Sequence, residues 1–333
     1  MNSILTKIRN IFEAEASRFK LLDILADNWF YKKYIMFLFE RKINNIIKNR
    51  EYSFAIEVTS FCNASCNFCP NSFMKRHKNV MGMDVIKVLV KRIKEENIVP
   101  KQFNLTGTGE PLIDKDLFKK ISLLKKNFPD TPIFFPTNLA LANFDIQKKI
   151  VSCGLDNISV SLNADNAVDY KKIMKLDYDK TIENLNSLIK LRNSTKSSLK
   201  IYLKLAANPI NKDNIKNFIN IWKGKVDGIG ISWIHTWAGA VKNGEKRKIV
   251  KRYPCRSLFE QIIIHSNGNI PLCCVDYEGL VVGGNILNDK ILDAFNAPNI
   301  ENIRKLHKND QINKIKMCSN CRFSERGLNW LMP

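Results

Sequence analysis

The chain has 333 residues, of which 45% are apolar and 10% aromatic, so it can bury a sizeable core and is not a disordered protein. Nine cysteines without a secretory signal argue against a disulfide framework, and the chain has no apolar run of the about 20 residues needed to span a membrane. Reduced thiols in a cytoplasm are therefore expected. The formal net charge of +21 is scattered along the chain, which fits lysine-rich codon usage. The positive charge leaves an anionic substrate and a membrane surface open as binding partners, and a nucleic-acid partner is not expected.

Residues 1–50 form a predicted N-terminal helical extension. Within it, an aromatic patch at residues 29–40 mixes bulky apolar side chains with Lys32 and Lys33. Such a patch could pack on the rest of the protein or make peripheral contact with a membrane surface. The sequence leaves both readings open.

From residue 51 onward, short β-branched runs alternate with stretches of helical periodicity. This alternation predicts an α/β fold with a parallel sheet, and six strands give a partial (β/α)6 barrel of the TIM type. Functional sites in such folds lie beyond the C-terminal ends of the strands. A core domain is predicted at 51–241, a basic linker at 242–252, and a small cysteine-bearing domain at 242–333. The predicted strands are 54–58, 102–106, 132–137, 157–161, 201–205 and 228–233.

Residues 57–70, EVTSFCNASCNFCP, follow the first predicted strand and are called the cysteine loop below. Three residues separate Cys62 from Cys66, and two separate Cys66 from Cys69. Thiolates are the soft ligands of iron–sulfur clusters, and three ligands on a four-iron cluster leave one iron open for chemistry. A zinc site is the alternative, with His77 as the nearest fourth ligand.

A second motif, TGTGEP at residues 106–111, follows the second strand. Its glycines allow a close approach of the backbone to a ligand, and the carboxylate of Glu110 can accept from an ammonium group. A simple turn would explain the glycines equally well. The location, at the end of the strand next to the cysteine loop, favours a shared site.

The two motifs together resemble those of the radical S-adenosylmethionine (SAM) enzymes. The resemblance implies a [4Fe-4S] cluster on the three cysteines, with SAM chelated at the open iron. In that family a Gly-Gly-Glu-type motif binds the amino group of SAM, and here Thr108 replaces its first glycine. A lysine within 171–175 stands where many relatives carry a carboxylate-binding arginine. The residues expected to contact SAM are Phe68, Gly109, Glu110, Asn138, Ser159 and Ser161.

Four further cysteines, Cys255, Cys273, Cys318 and Cys321, resemble the auxiliary-cluster domain called SPASM in its shortened Twitch form. The resemblance implies one auxiliary [4Fe-4S] cluster with four protein ligands, which would conduct electrons. The spacing from Gly268 favours Cys273 over its neighbour Cys274 as the ligand. A zinc ribbon on the same cysteines is the alternative.

The implied activity is reductive cleavage of SAM to a 5′-deoxyadenosyl radical, which abstracts hydrogen from the substrate. The single auxiliary cluster looks most like the aminocyclitol dehydrogenases, so a two-electron oxidation of a sugar-like alcohol is expected. A peptide-modifying maturase is the enzymatic alternative, and a zinc or iron–sulfur nucleic-acid-binding protein is the alternative outside enzymes. The expected partners are a small-molecule or peptide substrate and a reductase such as flavodoxin or ferredoxin.

Overall fold

A seven-stranded parallel sheet forms the centre of the protein in the computed structural model, which describes residues 28–234, 236–241, 251–323 and 325. The strand order is β6-β5-β4-β3-β2-β1-β7, and every neighbouring pair is parallel. The strands are β1 (Glu51–Ile56), β2 (Val99–Asn104), β3 (Ile133–Thr137), β4 (Asn157–Ser161), β5 (Lys200–Ala207), β6 (Gly228–Trp233) and β7 (Gln261–Ile264).

The predicted partial barrel is confirmed, with one strand more than the six expected. The fourth and sixth predicted strands have the observed bounds, whereas β1 and β2 begin three residues before their predicted starts. Both extensions pair with each other, from Glu51 opposite Val99 onward, so their length depends on pairing rather than on local composition.

Helices cover the outer face of the sheet because each carries an apolar stripe at helical spacing. In α2, for example, Ile86, Leu89 and Ile93 are fully buried. The helices between the strands are α2 (Met83–Glu95), α3 (Leu117–Asn127), α4 (Phe144–Ser152), α5 (Ala167–Met174), α6 (Tyr178–Ser194) and α7 (Ile215–Trp222).

The first described element is α1 (Trp29–Asn49), which lies within the predicted helical extension. Its residues Ile35, Phe39, Ile43 and Ile46 recur at helical spacing and are buried in the core. Residues 1–27 of the predicted helical extension lie outside the part of the chain that the structure describes. In the parts of the chain that the structure describes, no helix combines the length and apolarity needed to cross a membrane.

The C-terminal region returns to the sheet before it forms its own small unit. Strand β7 pairs in parallel with β1, from Ser53 opposite Gln261 to Ile56 opposite Ile264. One short helix precedes this strand, and an antiparallel hairpin and further short helices follow it, while most of the predicted linker lies outside the described residues. These elements are α8 (Ser257–Glu260), β8 (Asn269–Pro271), β9 (Val282–Asn285), α9 (Ile291–Phe295), α10 (Pro298–Lys308) and α11 (Lys316–Ser319).

Candidate functional site

The cysteine loop leaves the C-terminal end of β1 and is anchored by backbone hydrogen bonds to α5. The N–H of Ser65 donates to the carbonyl of Met174 (3.3 Å), and the N–H of Asn67 donates to the carbonyl of Ile173 (3.0 Å). The last carbonyls of a helix have no partner within it, so the end of α5 is a natural acceptor for the loop. The loop is therefore held from two sides, by the strand it follows and by a helix over 100 residues away in the sequence.

The three thiols of the cysteine loop lie close enough to affect one another. Burial raises the pKa of Cys62 to about 11 and also raises the pKa of Cys66 and of Cys69. Charges on Cys69 and Cys62 would raise the pKa of Cys66 further. A group of soft donors whose charges repel needs a positively charged partner to become thiolates. This donor set fits the iron–sulfur cluster that the sequence predicts.

The alternative of a zinc site in this loop required His77 as a ligand. That side chain is exposed to solvent. Among the residues that the structure describes, no group of three His, Cys, Asp or Glu side chains is arranged to hold a single metal ion.

The TGTGEP motif lies against the cysteine loop, and Gly109 makes this contact possible. A Cβ atom on Gly109 would lie 2.2 Å from the carbonyl oxygen of Thr59 and 2.7 Å from that of Phe61. The next residue, Glu110, donates its N–H to the carbonyl of Phe61 (2.8 Å). The glycine thus has a packing role between two loops, in addition to the ligand approach that the sequence predicts.

Glu110 presents a carboxylate that is buried beside the cysteine loop. Its Oε1 accepts from the hydroxyl of Thr137 (2.6 Å) and the N–H of Leu112 (3.2 Å), and its Oε2 accepts from the N–H of Asn138 (2.7 Å). Burial raises its pKa to about 7, although these three hydrogen bonds favour the ionised form. A cation placed next to this carboxylate would lower its pKa again, which fits an ammonium group as the ligand.

The other expected SAM contacts lie around the same end of the sheet. Asn138 follows β3, and its amide donates to the side chain of Asn63 in the cysteine loop (2.8 Å). The carbonyl of Phe68 accepts from the indole N–H of Trp237 (3.1 Å). The structure therefore joins the loop to Asn138 and to Trp237 through contacts that the sequence did not reveal.

Ser159 and Ser161 share one face of β4, opposite the fully buried Ile158 and Val160. Lys204 of β5 is the register partner of Ser161, so its side chain leaves the sheet on the same face. Lys204 was not predicted, because the resemblance pointed to a cation in 171–175, after β4. Lys171 and Lys172 lie within α5 and Lys175 caps its C-terminal end, and all three residues are exposed.

The C-terminal cysteine cluster comprises Cys255, Cys273, Cys274, Cys318 and Cys321. It is assembled from three segments, which precede α8, follow β8 and end α11. Burial raises the pKa of each of these thiols, and electrostatic repulsion links all five of them. The soft donor set again fits an iron–sulfur cluster. Cys273 packs against the core, whereas Cys274 lines a cavity: its thiol is surrounded by protein, although the residue as a whole keeps exposed surface.

Two residues next to the C-terminal cysteine cluster were not predicted from the sequence. His307 of α10 is buried, with its Nε2 3.4 Å from the sulfur of Cys318 and its Nδ1 3.3 Å from the N–H of Cys255. Arg252 donates to the carbonyls of Cys318 and Ser319. A helical residue and a linker residue carry no local signal for such a position, because only the fold brings them to the cysteines.

A cavity of about 190 Å³ is lined by residues of both cysteine-bearing regions, Glu57 at the start of the cysteine loop and Cys274 of the C-terminal cysteine cluster. One wall comes from the ends of β7, β1 and β2 and includes Glu57, Thr106 and His265. The other wall includes Cys274 and Tyr277 from the C-terminal region. None of the described lining residues is a lysine or an arginine.

Comparisons with known proteins identify two domains. A model of the Radical SAM superfamily matches residues 56–204, and a model of the iron–sulfur cluster-binding SPASM domain matches residues 255–322. The first includes the cysteine loop and the TGTGEP motif, and the second includes the whole C-terminal cysteine cluster. These domains imply a [4Fe-4S] cluster with SAM and auxiliary iron–sulfur ligation, respectively.

Curated relatives share part of the chain. A probable GTP 3′,8-cyclase from Saccharolobus islandicus is 28% identical over 182 residues, which are 54% of this chain and 54% of the relative. A GTP 3′,8-cyclase from Nautilia profundicola is 27% identical over 229 residues, which are 67% of this chain and 64% of the relative. The chain thus spans between half and two thirds of the length of these relatives.

Solved structures with the same fold cover more of the chain. BtrN in complex with AdoMet and 2-DOIA has a TM-score of 0.59 at 18% identity, covering 81% of this chain and 92% of BtrN. Streptococcus suis SuiB bound to the precursor peptide SuiA has a TM-score of 0.63 at 15% identity, covering 79% of this chain and 70% of SuiB. Both domain models match, so the chain carries a Radical SAM domain and a C-terminal SPASM domain.

Proposed function

We propose that this radical SAM enzyme carries out a two-electron oxidation of a hydroxyl-bearing carbon in a small sugar-like or aminocyclitol substrate. The observation that carries the proposal is a cavity lined by residues of both cysteine-bearing regions, Glu57 of the cysteine loop and Cys274 of the C-terminal cysteine cluster. We expect a substrate there to be near both the radical source and the electron acceptor. Pockets for drug-sized ligands span about 300–1,000 Å³, so a cavity of about 190 Å³ suits a smaller molecule.

The residues proposed to hold the cofactors follow from the two cysteine sets. Cys62, Cys66 and Cys69 would ligate the SAM-binding cluster, and Cys255, Cys273, Cys318 and Cys321 would ligate one auxiliary cluster. The bound cluster and SAM would supply one-electron cleavage to a 5′-deoxyadenosyl radical, driven by a reductase such as flavodoxin or ferredoxin. The chain's own part is to position the reacting atoms and exclude water.

Several side chains would orient SAM. Glu110 would pair with its ammonium group, for which the buried carboxylate is well placed. Asn138, Ser159 and Ser161 would hold its ribose and carboxylate, and Phe68 would pack near its adenine. Gly109 would keep the TGTGEP backbone close to the cysteine loop.

Lys204 is a further candidate for the SAM carboxylate, because it is the register partner of Ser161. A lysine is a point charge and lacks the bidentate geometry of the arginine found in many relatives. Its placement on the serine face of the sheet favours it over the lysines in 171–175.

The cyclase named for the curated relatives is a less favoured reaction for this chain. A nucleoside triphosphate carries several negative charges and is usually bound by arginines, lysines or a metal ion. The described cavity lining contains no lysine or arginine. A peptide substrate, as in the SuiB complex, is the second candidate, because one side chain of a peptide could enter a cavity of this size.

Anaerobic reconstitution followed by product analysis tests the proposal. Two four-iron clusters require about eight iron atoms per chain, and dithionite should drive the formation of 5′-deoxyadenosine from SAM. Inositols and aminocyclitols, offered one at a time, should yield a ketone with two mass units less than the alcohol. An iron content far below about eight atoms per chain, or a failure to cleave SAM, would contradict the proposed radical chemistry. Oxidation of a peptide instead of a polyol would favour the second candidate, a peptide substrate.

A further inference from the structure

The turn after β7 places a histidine at the wall of the cavity. His265 follows the last residue of β7, donates its N–H to the carbonyl of Asn269 (2.9 Å) and accepts from the N–H of Gly268 (2.8 Å). Gly268 has a φ of +87°, a left-handed conformation that glycine adopts without strain. The backbone around His265 is thus fixed by its own turn.

A buried ion pair holds this turn against the start of the cysteine loop. Glu57 accepts from the N–H (3.2 Å) and the hydroxyl (3.0 Å) of Ser266, next to His265. Both carboxylate oxygens of Glu57 also accept from Arg76, at 2.8 and 2.9 Å. The carboxylate is therefore already paired, and it positions the histidine without competing for a ligand in the cavity.

The imidazole of His265 is buried, with 4% of its residue surface exposed. Its Nδ1 has no hydrogen-bond partner among the described residues, although the ring lines the cavity. Burial lowers its pKa to about 4, and the charge of Arg76 acts in the same direction, whereas Glu57 opposes it. At neutral pH the ring is uncharged, and a neutral imidazole offers one donor and one acceptor.

We propose that His265 is a substrate-binding residue that forms a hydrogen bond with a hydroxyl group of the substrate in this cavity. The proposal rests on the proposed function, because it takes the cavity as the place where an alcohol is oxidised. Buried polar atoms in native proteins nearly always have partners, so a histidine ring that lies at the wall of a cavity and forms no side-chain hydrogen bond with the described residues points to a ligand that bonds the ring from the cavity. A hydroxyl can donate or accept, and it therefore suits either tautomer of the ring.

The charge state of the ring also limits the class of substrate. A neutral imidazole provides no counter-charge for a phosphate or a carboxylate, whereas a polyol is uncharged and needs none. A ring with a pKa near 4 is a weak base, so its role is to orient the hydroxyl rather than to remove its proton.

Chemical labelling of the reconstituted enzyme tests the location of the ring. Diethyl pyrocarbonate modifies neutral imidazoles, and mass spectrometry separates His265 from His307, a second buried histidine whose pKa burial also lowers to about 4. We expect His265 to react faster, because it lines the cavity. We also expect myo-inositol, scyllo-inositol or 2-deoxystreptamine to protect it. Labelling no faster than at His307, or no protection by any of the three, would overturn the assignment.

Two substitutions then test the hydrogen bond. His265→Leu should lower kcat/KM for the protecting polyol about tenfold to a hundredfold, the usual effect of leaving a buried hydroxyl unpaired. His265→Gln retains a donor and an acceptor and should recover part of this loss. His77→Leu, which replaces an exposed histidine, is the matched control. Equal kcat/KM in the Leu variant and the unmodified enzyme would overturn the proposal.

Two further readouts separate this proposal from the proposed function. SAM cleavage by dithionite without polyol, measured in the unmodified enzyme and in the His77→Leu control, reports the radical chemistry alone. If the unmodified enzyme itself fails to cleave SAM, the proposed function fails, while the labelling still decides where the ring lies. The KM should stay constant from about pH 6 to 8, because an ordinary histidine would change charge near 6.5 but this ring would not. A KM that rises below pH 6.5 would overturn the hydrogen bond to a neutral ring.

Discussion

The cysteine loop and the C-terminal cysteine cluster hold similar thiols in contrasting surroundings. The loop takes its three cysteines from eight consecutive residues, whereas the cluster gathers five from three distant segments. A buried carboxylate, Glu110, stands beside the loop, while Arg252 and His307 stand beside the cluster. The cysteine loop therefore faces charges of both signs, Glu110 and the cation Lys78, whereas a guanidinium faces the C-terminal cysteine cluster.

This difference indicates what each region lacks. An anionic carboxylate next to thiolates is unfavourable until a cation joins them, which suits a ligand with an ammonium and a sulfonium group. A guanidinium next to thiolates already supplies a compensating charge, which agrees with the proposal that all four ligands of the auxiliary cluster come from the chain. We therefore expect an outside ligand, SAM, at the cluster of the cysteine loop and none at the auxiliary cluster.

Cys66→Ala should have the largest effect, because it removes a proposed ligand that the cluster at the cysteine loop cannot replace. We expect no 5′-deoxyadenosine above background with SAM and dithionite, measured by liquid chromatography and mass spectrometry. Cys153→Ala is the matched control, since this thiol is half-buried in the core and outside both cysteine sets. Cleavage of SAM by the Cys66 variant would show that this thiol of the cysteine loop is no more necessary for the reaction than the control thiol, Cys153.

Cys318→Ala should separate the two regions functionally. We expect the iron content to fall from about eight to about four atoms per chain, with SAM cleavage retained and polyol oxidation lost. Iron analysis, 5′-deoxyadenosine formation and ketone formation are measured on one preparation. Complete oxidation by this variant would show that the C-terminal cysteine cluster does not accept the electron.

Arg76→Met breaks the buried ion pair that joins the start of the cysteine loop to the turn after β7. Burial alone would raise the pKa of Glu57, but hydrogen bonds from Arg76 keep it below its usual value. Without Arg76 the buried carboxylate is unpaired, so the free energy of unfolding should fall by about 3–5 kcal/mol near pH 7 in urea titrations.

Lys148→Met removes an exposed ion pair with Asp145 and is the matched control for this substitution. It should change the free energy of unfolding by no more than about 0.5 kcal/mol. A loss in the Arg76 variant as small as in the control would mean that the two regions are not joined by this pair.

Glu110→Gln should have the smallest effect and appear as a change in pH dependence. Because burial raises the pKa of Glu110 to about 7, its protonated form stabilises the fold, and this contribution disappears as pH rises from about 4.5 to 7. Without cofactors, the unmodified protein should lose up to about 3 kcal/mol over this range through Glu110. The Gln variant should lack this part of the slope.

Glu95→Gln, on the exposed surface of α2, is the control for this measurement and should leave the slope unchanged. Added SAM should flatten the slope of the unmodified protein, because its ammonium group favours the ionised carboxylate. If the free energy of unfolding depends on pH with the same slope in the Glu110 variant and in the unmodified protein, the proposed contrast in charge between the two regions is wrong.

Much of the sheet could be predicted from the sequence, because apolar alternation and short loops are local signals. Strands β4 and β6 have the predicted bounds, and the cysteine loop follows β1 as expected. Strand β7 was not predicted as part of the sheet. Its partner β1 lies about 200 residues earlier, and no local pattern reports a pairing at that distance.

The site could be predicted only where its residues are close in sequence. The spacing of Cys62, Cys66 and Cys69 indicated a shared centre, and the structure brings these thiols within electrostatic range. His265 and His307 carried no comparable signal, because each is a single histidine, one after an apolar strand and the other in a largely charged helix. Their positions depend on a turn and on a helix that fold against distant segments.

The pairing of β1 with β7 has a consequence for how the chain folds. Ser53 and Gln261 are register partners, so one edge of β1 stays unpaired until most of the chain has been synthesised. An unpaired edge can associate with other chains, and contacts between such distant residues form slowly. The strand that carries the cysteine loop is thus completed late on the ribosome, and aggregation during expression should depend on how quickly the C-terminal segment arrives.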